Sequence, residues 1–350
     1  MKNNHHLNFL FPILVLTSLT ISCHSQISPE SNHNPVSVNL RTICSLPDEL
    51  IESSGIGIEG NNRIWSHEDS GNSNKIYCFD TTGTLLRTIT ISNVENIDWE
   101  DLATDNEETW YICDAGNNNN NRTDLAVYII PDPETMSGDQ VIARIIHFTL
   151  EDQTAFPPPS SNRNFDIEAM IWHDDSLFMS TKDRSNPFTG ITKMYVIPDN
   201  PGTYTARLVD TYFVGNTTES GRISSADINH HTGELVLLTN TGLVSFTNYP
   251  GNRFFDGEVT KYNFTTLPGQ NEAIAFVSAE KLYMTEEGNN KSAGPLYEIR
   301  LPQPLMNVNT PTVENLLNAY PNPFQDIIKI QSMVNGAALI EILDCEGRQI

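Results

Sequence analysis

The sequence predicts an all-β protein: a five-bladed β-propeller followed by a small β-sandwich. Three observations lead to this prediction: the composition, a short motif that recurs five times, and a set of strands that repeats behind each copy of the motif. Hydrophobic residues make up 38% of the 350 residues and charged residues only 18%, so uncharged polar residues are abundant. This apolar share is large enough for a packed core and too large for a disordered chain.

The recurring motif is short and usually acidic, and each copy leads into a β-like run. The copies occupy residues 52–56, 98–102, 166–170, 224–228 and 271–274. When Glu52, Glu100, Glu168, Ala226 and Glu272 are aligned, successive copies are 48, 68, 58 and 46 residues apart. Spacings of this size are typical of four-stranded propeller blades of about 40–50 residues, with insertions in two of them.

Alternating apolar residues and turn residues predict the strands behind each motif. The first four repeats carry four strands each, at residues 55–58, 63–67, 75–79 and 85–91; 102–104, 110–113, 126–130 and 141–149; 169–172, 177–180, 193–197 and 206–213; and 226–228, 235–238, 243–246 and 259–264. The fifth repeat has only three, at residues 273–277, 281–284 and 296–301.

We expect residues 37–46 to supply the missing strand, because joining the two ends of a propeller removes exposed sheet edges. The propeller then spans residues 37–301. A six-bladed ring is the alternative, if the insertion in the second or third repeat hides a further blade.

The N-terminal segment predicts export. Residues 1–25 combine Lys2, an apolar run over residues 7–21 and small residues before Gln26, and this run is too short to span a bilayer comfortably. We interpret it as a cleaved signal peptide of a secreted or surface-attached protein without a transmembrane segment. Lipidation of Cys23 after lipoprotein processing is the alternative.

The C-terminal segment carries a second export pattern. Residues 302–318 are rich in Pro and Asn and predict a linker. Residues 319–350 contain a Tyr-Pro-Asn-Pro start, strand-like runs at 327–330 and 338–343, and an Asp-x-x-Gly turn at 344–347. This pattern resembles the C-terminal sorting domain of type IX secretion cargo, which implies the secretion machinery as a partner. Such domains normally continue with further strands, so we expect this one to be truncated at Ile350.

Propeller geometry predicts one acidic site at the mouth of the central channel. The innermost strand of a blade begins at the face where the next, antiparallel strand ends, so each motif lies beside the end of that strand. These positions carry Glu52, Asp69, Asp98, Glu100, Asp114, Asp166, Glu168, Asp227, Glu272 and Glu286. Converging carboxylates repel one another unless a cation lies among them, and Ca²⁺ suits a flexible site of oxygen ligands.

The predicted Ca²⁺ ligands are Glu52, Asp69, Asp98, Glu100, Asp114, Asp166, Glu168 and Glu272. Two alternatives stay open. Lys182, Arg184, Arg222 and Lys291 could neutralise the carboxylates by internal ion pairs. The repetition could also reflect blade architecture alone, because polar residues often cap the inner strand of a blade.

Several of these motifs also carry a family resemblance. Residues 52–56, 67–72, 98–103 and 166–170 resemble the SdiA-regulated periplasmic propellers and, more distantly, the esterase-like domain attached to some phytases. The resemblance implies a propeller with an acidic axial face that can hold Ca²⁺. Phytase-like propellers hold phosphate with Ca²⁺ and basic side chains. By this resemblance the substrate-binding residues would be Lys182, Arg184 and Arg222, although these three do not lie in a motif shared with that family.

A net charge of −24 disfavours nucleic acid and anionic membranes as partners. Two functions remain. We favour a secreted or cell-surface binding module whose Ca²⁺-loaded mouth recognises an extracellular small molecule, glycan or peptide. The alternative is a Ca²⁺-dependent hydrolase of phosphate or carboxylic esters, in which Glu100 or Glu168 activates water. The catalytic residues of such an enzyme cannot be named, because the sequence holds no nucleophile elbow, phosphate loop or zinc-spaced histidine pair.

Overall fold

The computed structural model describes residues 34–60, 62–105, 107–289 and 292–302, together with the backbone of residues 317–320 and 329–332. Nearly all regular structure in these ranges is β-strand, and the longest helix there is the single turn α1 (Thr218–Gly221). No helix in these ranges is long and apolar enough to cross a membrane. The predicted signal peptide lies outside the described residues.

The strands form four-stranded antiparallel units that follow one another along the chain. From the innermost strand outwards, they are β3 (Ser53–Glu59), β4 (Arg63–Glu68), β5 (Lys75–Phe79) and β6 (Leu85–Ile91); β7 (Trp99–Thr104), β8 (Thr109–Asp114), β9 (Ala126–Pro131) and β11 (Arg144–Leu150); β12 (Asp166–His173), β13 (Ser176–Lys182), β14 (Ile191–Pro198) and β15 (Gly202–Phe213); β16 (Ile223–Ile228), β17 (Leu235–Thr239), β18 (Gly242–Thr247) and β19 (Glu258–Phe264); and β20 (Asn271–Ser278), β21 (Lys281–Glu286), β22 (Pro295–Arg300) and β2 (Arg41–Ser45).

The innermost strands of these units surround a common axis. Strand β3 contacts β7, β7 contacts β12, β12 contacts β16, β16 contacts β20, and β20 returns to β3. Radial four-stranded sheets around such a cycle are the architecture of a β-propeller. The predicted all-β class and propeller fold are therefore confirmed.

Parallel pairings join some units at their outer edges. Strand β15 pairs with β11, which makes one eight-stranded sheet of two units, and the short β10 (Gln140–Val141) pairs with β6. These contacts cover edges that would otherwise be free to pair with another molecule.

The N-terminal segment differs from the single predicted strand at residues 37–46. It forms two strands: β1 (Val36–Val38) pairs in parallel with β19, and β2 pairs antiparallel with β22. Two open edges, on neighbouring units, are available to this segment, and the chain crosses from one to the other at residues 39 and 40. Each edge is covered by the part of the segment that reaches it.

Apolar side chains between neighbouring sheets hold the inner strands in place. Trp65, Trp99 and Trp110 are fully buried between the first two units. The indole ring of Trp110 lies against the backbone of Gly57 on β3, where any Cβ would collide with the ring. Burying an aromatic side chain of this size contributes about 1.5–3 kcal/mol, so this packing helps to hold the sheets of the first two units together.

A second compact unit starts at Arg300. Its described part is an antiparallel pair, β23 (Leu317–Tyr320) with β24 (Lys329–Ser332). Strand β23 begins inside the predicted linker, and β24 begins two residues after the predicted start of its strand. The predicted strand at 338–343 and the turn at 344–347 lie outside the described residues.

Candidate functional site

The register of the inner hairpins places the recurring motifs beside the ends of the second strands. Trp99 pairs with Asp114, Asp166 with Lys182, and Asn271 with Glu286. The motifs of three units are thus brought to one end of the channel together with the residues that end the next strand.

A cavity of about 490 Å³ opens at this end, which we call the mouth. Its charged lining consists of Asp69, Glu100, Glu168, Glu219 and Glu272, and of Lys182, Arg184 and Arg222. Asn118, Ser224, Asn240 and Gln270 supply uncharged polar groups. A cavity of this size is typical of small-molecule sites.

Glu100 lies at the centre of the carboxylates. Its ligand oxygen lies within 4.8 Å of those of Asp69 and Asp98, and a second group of the same kind combines Glu100 with Asp166 and Glu168. Glu100 is 5% exposed, and no described residue donates a hydrogen bond to its carboxylate. Gly116 makes this closeness possible, because a Cβ there would collide with the carboxyl groups of Glu100 and Asp98.

The carboxylates of this cluster hold protons more tightly than usual. Burial raises the pKa of Asp69 to about 6, and the neighbouring charge of Asp98 adds to the effect. Burial also raises the pKa of Asp98 to about 6, with Asp166 adding to it. The pKa of Glu100 lies well above its ordinary value, again through burial and then through Glu168 and Asp69. Negative charge is therefore poorly compensated here.

Asp166 and Glu168, in contrast, have cationic partners. Lys182 Nζ lies 2.7 Å from Glu168 Oε2, and Arg184 Nη2 lies 2.8 Å from Glu168 Oε1. Arg184 Nε lies 2.5 Å from Asp166 Oδ2. On this side of the mouth, ion pairs thus neutralise the carboxylates, which was one of the two alternatives to a metal. The predicted cation Lys291 lies outside the described residues.

Asp114 belongs to neither carboxylate group. It is fully buried and accepts hydrogen bonds from Arg122 Nη2 at 2.9 Å, from the Tyr128 hydroxyl at 2.6 Å and from the Asp98 backbone N–H at 3.1 Å. These contacts occupy its oxygens, so its role here is to hold the second unit together.

Glu52 and Glu272 lie at the edge of the cluster. Glu52 is exposed and accepts a hydrogen bond from Asn72 Nδ2 at 2.6 Å. Glu272 is buried and lines the cavity; burial raises its pKa, and the charge of Lys182 opposes that rise. Glu286 accepts a hydrogen bond from the Tyr297 hydroxyl and does not line the cavity.

Asp227 is not at the mouth. It lines a different cavity of about 440 Å³ that also touches Ile58 and Thr104, at the far ends of β3 and β7. Its oxygens accept hydrogen bonds from the backbone N–H groups of Ile228 and Phe276. The prediction that places Asp227 among the mouth carboxylates is wrong, because Asp227 is the next-to-last residue of β16 rather than near its start.

Several residues in and beside the cavity lining were not predicted as site residues, among them Asn118, Glu219, Ser224 and Gln270 in the lining and Glu287, which lies outside it. Ser224 is buried and lines the cavity, and its Oγ has no hydrogen-bond partner among the described residues. Ser224 occupies the same motif position as Asp98 and Asp166, so the alignment of the five motifs could have identified it as a site residue. Burial raises the pKa of Glu287 to about 8, with Glu272 and Asp69 adding to the rise. In the sequence, the only indication of this residue is its position next to Glu286.

Comparison with known proteins identifies no family. No family model matches the chain, and no curated protein matches it. Similar solved structures include the PQQ-bound aldose sugar dehydrogenase of Streptomyces coelicolor, with 11% identity over 76% of this chain and 99% of that chain and a TM-score of 0.43. A gluconolactonase from Xanthomonas campestris has 12% identity over 71% of this chain and 72% of its own, with a TM-score of 0.40. A putative oxidoreductase (glucose dehydrogenase) from Thermus thermophilus has 12% identity over 75% and 100%, with a TM-score of 0.41. Similarity at this level assigns neither an activity nor a ligand to this chain.

Proposed function

We propose that the chain is an exported β-propeller that binds Ca²⁺ at its mouth and uses the loaded mouth to recognise an extracellular small molecule, glycan or peptide. One observation carries the metal: the ligand oxygens of Asp69, Asp98 and Glu100 lie within 4.8 Å of one another. None of the three forms an ion pair with a described cation. Ca²⁺ binds carboxylate oxygens at about 2.3–2.6 Å and tolerates irregular geometry.

This triplet is favoured over the group of Glu100, Asp166 and Glu168. Lys182 and Arg184 already balance Asp166 and Glu168, so a divalent cation there would have to displace two cations. At the triplet, burial first and neighbouring carboxylates second raise the pKa of all three carboxyl groups, and a bound divalent cation would offset both effects. Asp69, Asp98 and Glu100 are therefore the proposed central ligands.

Calcium-dependent thermal stability tests this function. A ligand that binds only the folded state at 100 times its Kd stabilises it by about 2.7 kcal/mol, which corresponds to a rise in Tm of roughly 5–10 °C for a domain of this size. We expect such a rise when Ca²⁺ is added to the chelator-treated protein, and we expect Glu100→Gln to abolish most of it.

Glu59→Gln is the matched control. Glu59 is a half-buried carboxyl group at the opposite end of β3, and burial raises its pKa too. This variant should keep the full calcium shift. A wild-type protein whose Tm is the same with Ca²⁺ and with chelator would refute the metal proposal.

We further infer that the ring has five blades. The cycle of inner strands supports this number. In the described part of the chain, the insertions of the second and third repeats contain β10, a 3-10 turn at Ser160–Asn162, α1 and loops, rather than another four-stranded sheet.

Export is proposed from the two ends of the sequence, the apolar N-terminal segment and the Tyr-Pro-Asn-Pro segment near the C-terminus. The C-terminal segment would be read by the type IX machinery. Immunodetection of the chain in medium and cell fractions, with and without residues 319–350, tests this. Equal retention of both forms in the cells would contradict it.

A further inference from the structure

Arg222 is the cation of the mouth that has no carboxylate partner among the described residues. Its Nε donates to the Asp183 carbonyl at 2.8 Å, and its guanidinium lies 5.7 Å from the centre of the Phe188 ring. It forms no ion pair within those residues, whereas Lys182 and Arg184 each contact Glu168. The two terminal nitrogens of the Arg222 fork are thus available to an anion, and a guanidinium binds carboxylates well in this way.

Ser224 lies two residues further along the chain and lines the same cavity. The residue is 6% exposed, and its Oγ has no hydrogen-bond partner in the described part of the chain. Buried hydroxyls are nearly always hydrogen-bonded, so this one is free to bond an atom that enters the cavity. This observation is independent of the carboxylate cluster, and it makes this side of the mouth suited to a ligand with an oxygen or N–H group.

The charge of the lining limits what that ligand can be. Five carboxylates and three cations line the cavity, and Asp98 and Asp166, which belong to the same carboxylate groups, bring the carboxylates to seven. One bound Ca²⁺ halves the resulting excess of four negative charges. A single carboxylate can be held locally by Arg222, whereas a dianion would meet twice the repulsion from the remaining carboxylates. Asn118, Asn240 and Gln270 complete the wall with amide groups, which both donate to and accept from hydroxyls.

We propose that the mouth binds a hydroxylated monocarboxylic acid of sugar size, such as a uronic acid, with its carboxylate on Arg222 and Ser224. The inference rests on the proposed function, because the bound Ca²⁺ lowers the negative charge that an anionic ligand meets. Hydroxyls of the same ligand would face the amides and the calcium. Neutral sugars lack the group that Arg222 binds, and phosphate carries too much charge.

Isothermal titration calorimetry in calcium-containing buffer tests this inference, with D-galacturonate and D-glucuronate as probes and D-galactose and inorganic phosphate as comparisons. We expect at least one acid to bind and both comparison compounds to bind more weakly. Arg222→Gln should weaken the binding roughly 10- to 100-fold, because it removes a charged hydrogen-bonding partner. Ser224→Ala should weaken it roughly 3- to 10-fold. Arg253→Gln, at an exposed arginine that pairs with Asp256, should leave it unchanged.

The calcium shift in Tm is measured on every variant, which separates the two proposals. An intact calcium shift in Arg222→Gln shows that the variant is folded and metal-loaded, so its loss of acid binding supports the inference. An intact shift in the wild type together with no binding of either acid overturns the inference and leaves the calcium proposal standing. Equal binding of galactose, or tighter binding of phosphate, overturns it too. A wild-type protein without any calcium shift overturns both.

Discussion

At the scale of single residues, Asp101 holds the inner strands together across the channel. It lies on β7, is fully buried, and accepts hydrogen bonds from the backbone N–H of Met170 at 3.0 Å and of Ala226 at 3.2 Å. The Ser225 hydroxyl also donates to it and accepts in turn from the Ile274 N–H. One carboxylate thus links β7 to β12 and β16, and through Ser225 to β20. Burial raises its pKa well above the ordinary value, although these hydrogen bonds oppose the rise.

Asp101→Ala should therefore be among the most destabilising single changes in the propeller. It leaves two backbone N–H groups buried without acceptors, which costs about 2–5 kcal/mol in the free energy of unfolding. Urea denaturation followed by tryptophan fluorescence measures this cost. Asp139→Ala removes an exposed carboxylate that pairs with Arg87, and should change stability by less than about 0.5 kcal/mol. Equal urea midpoints for the two variants would contradict the role given to Asp101.

At the scale of elements, the local pattern predicts strands better than it predicts their partners. Each of the five inner strands contains a strand that was predicted from motif spacing and from the alternation of apolar residues. These two signals depend only on residues that are close in the chain. The parallel pairings of β11 with β15 and of β10 with β6 could not be predicted, since they join edges whose meeting depends on the assembled ring. The division of the N-terminal segment into β1 and β2 has the same origin.

Removal of the N-terminal strands should weaken the whole ring. Deletion of residues 1–45 eliminates both pairings, uncovers the edges of β19 and β22, and takes away the buried Val38. We expect the free energy of unfolding to fall by about 2–4 kcal/mol, and the open edges to promote association. Deletion of residues 1–33, which keeps both strands, is the control. Urea denaturation and size-exclusion chromatography compare the two, and identical behaviour would show that ring closure does not depend on β1 and β2.

At the scale of the whole molecule, the sequence predicted those parts of the candidate site whose positions follow from the repeated motif. The rule that a motif lies beside the end of the next strand brought Glu100, Asp166 and Glu168 together with Lys182 and Arg184. It could not foresee that Arg122 and Tyr128, on a loop and on the next strand, occupy the oxygens of Asp114. It failed at Asp227, where the motif lies further along its strand. The choice between a metal and ion pairs depends on such contacts, which the spacing of the motifs does not contain.

Part of the net charge of −24 lies at the mouth, and these carboxylates make the free energy of unfolding depend on pH. Asp69 and Asp98 have a pKa of about 6 in the calcium-free fold, against about 3.9 in an unfolded chain. Between these values the folded state holds more protons, so ionisation of the two groups lowers the free energy of unfolding as the pH rises from about 4 to above 6. Burial lowers the pKa of His67 to about 4, and this group acts in the opposite direction below about pH 6.5.

The calcium-dependent increment of stability isolates the mouth, because the contribution of His67 is the same with and without the ion. Below about pH 6, protons occupy Asp69 and Asp98 and compete with Ca²⁺; above it, both groups are ionised and their repulsion is relieved by the metal. We therefore expect the rise in Tm on adding Ca²⁺ to be largest near pH 7.5 and to shrink steadily towards pH 5. Differential scanning fluorimetry of decalcified protein, with and without added Ca²⁺ at each pH, measures this increment. Glu59→Gln should follow the wild-type curve, and an increment that stays constant over this range would place the ion away from these carboxylates.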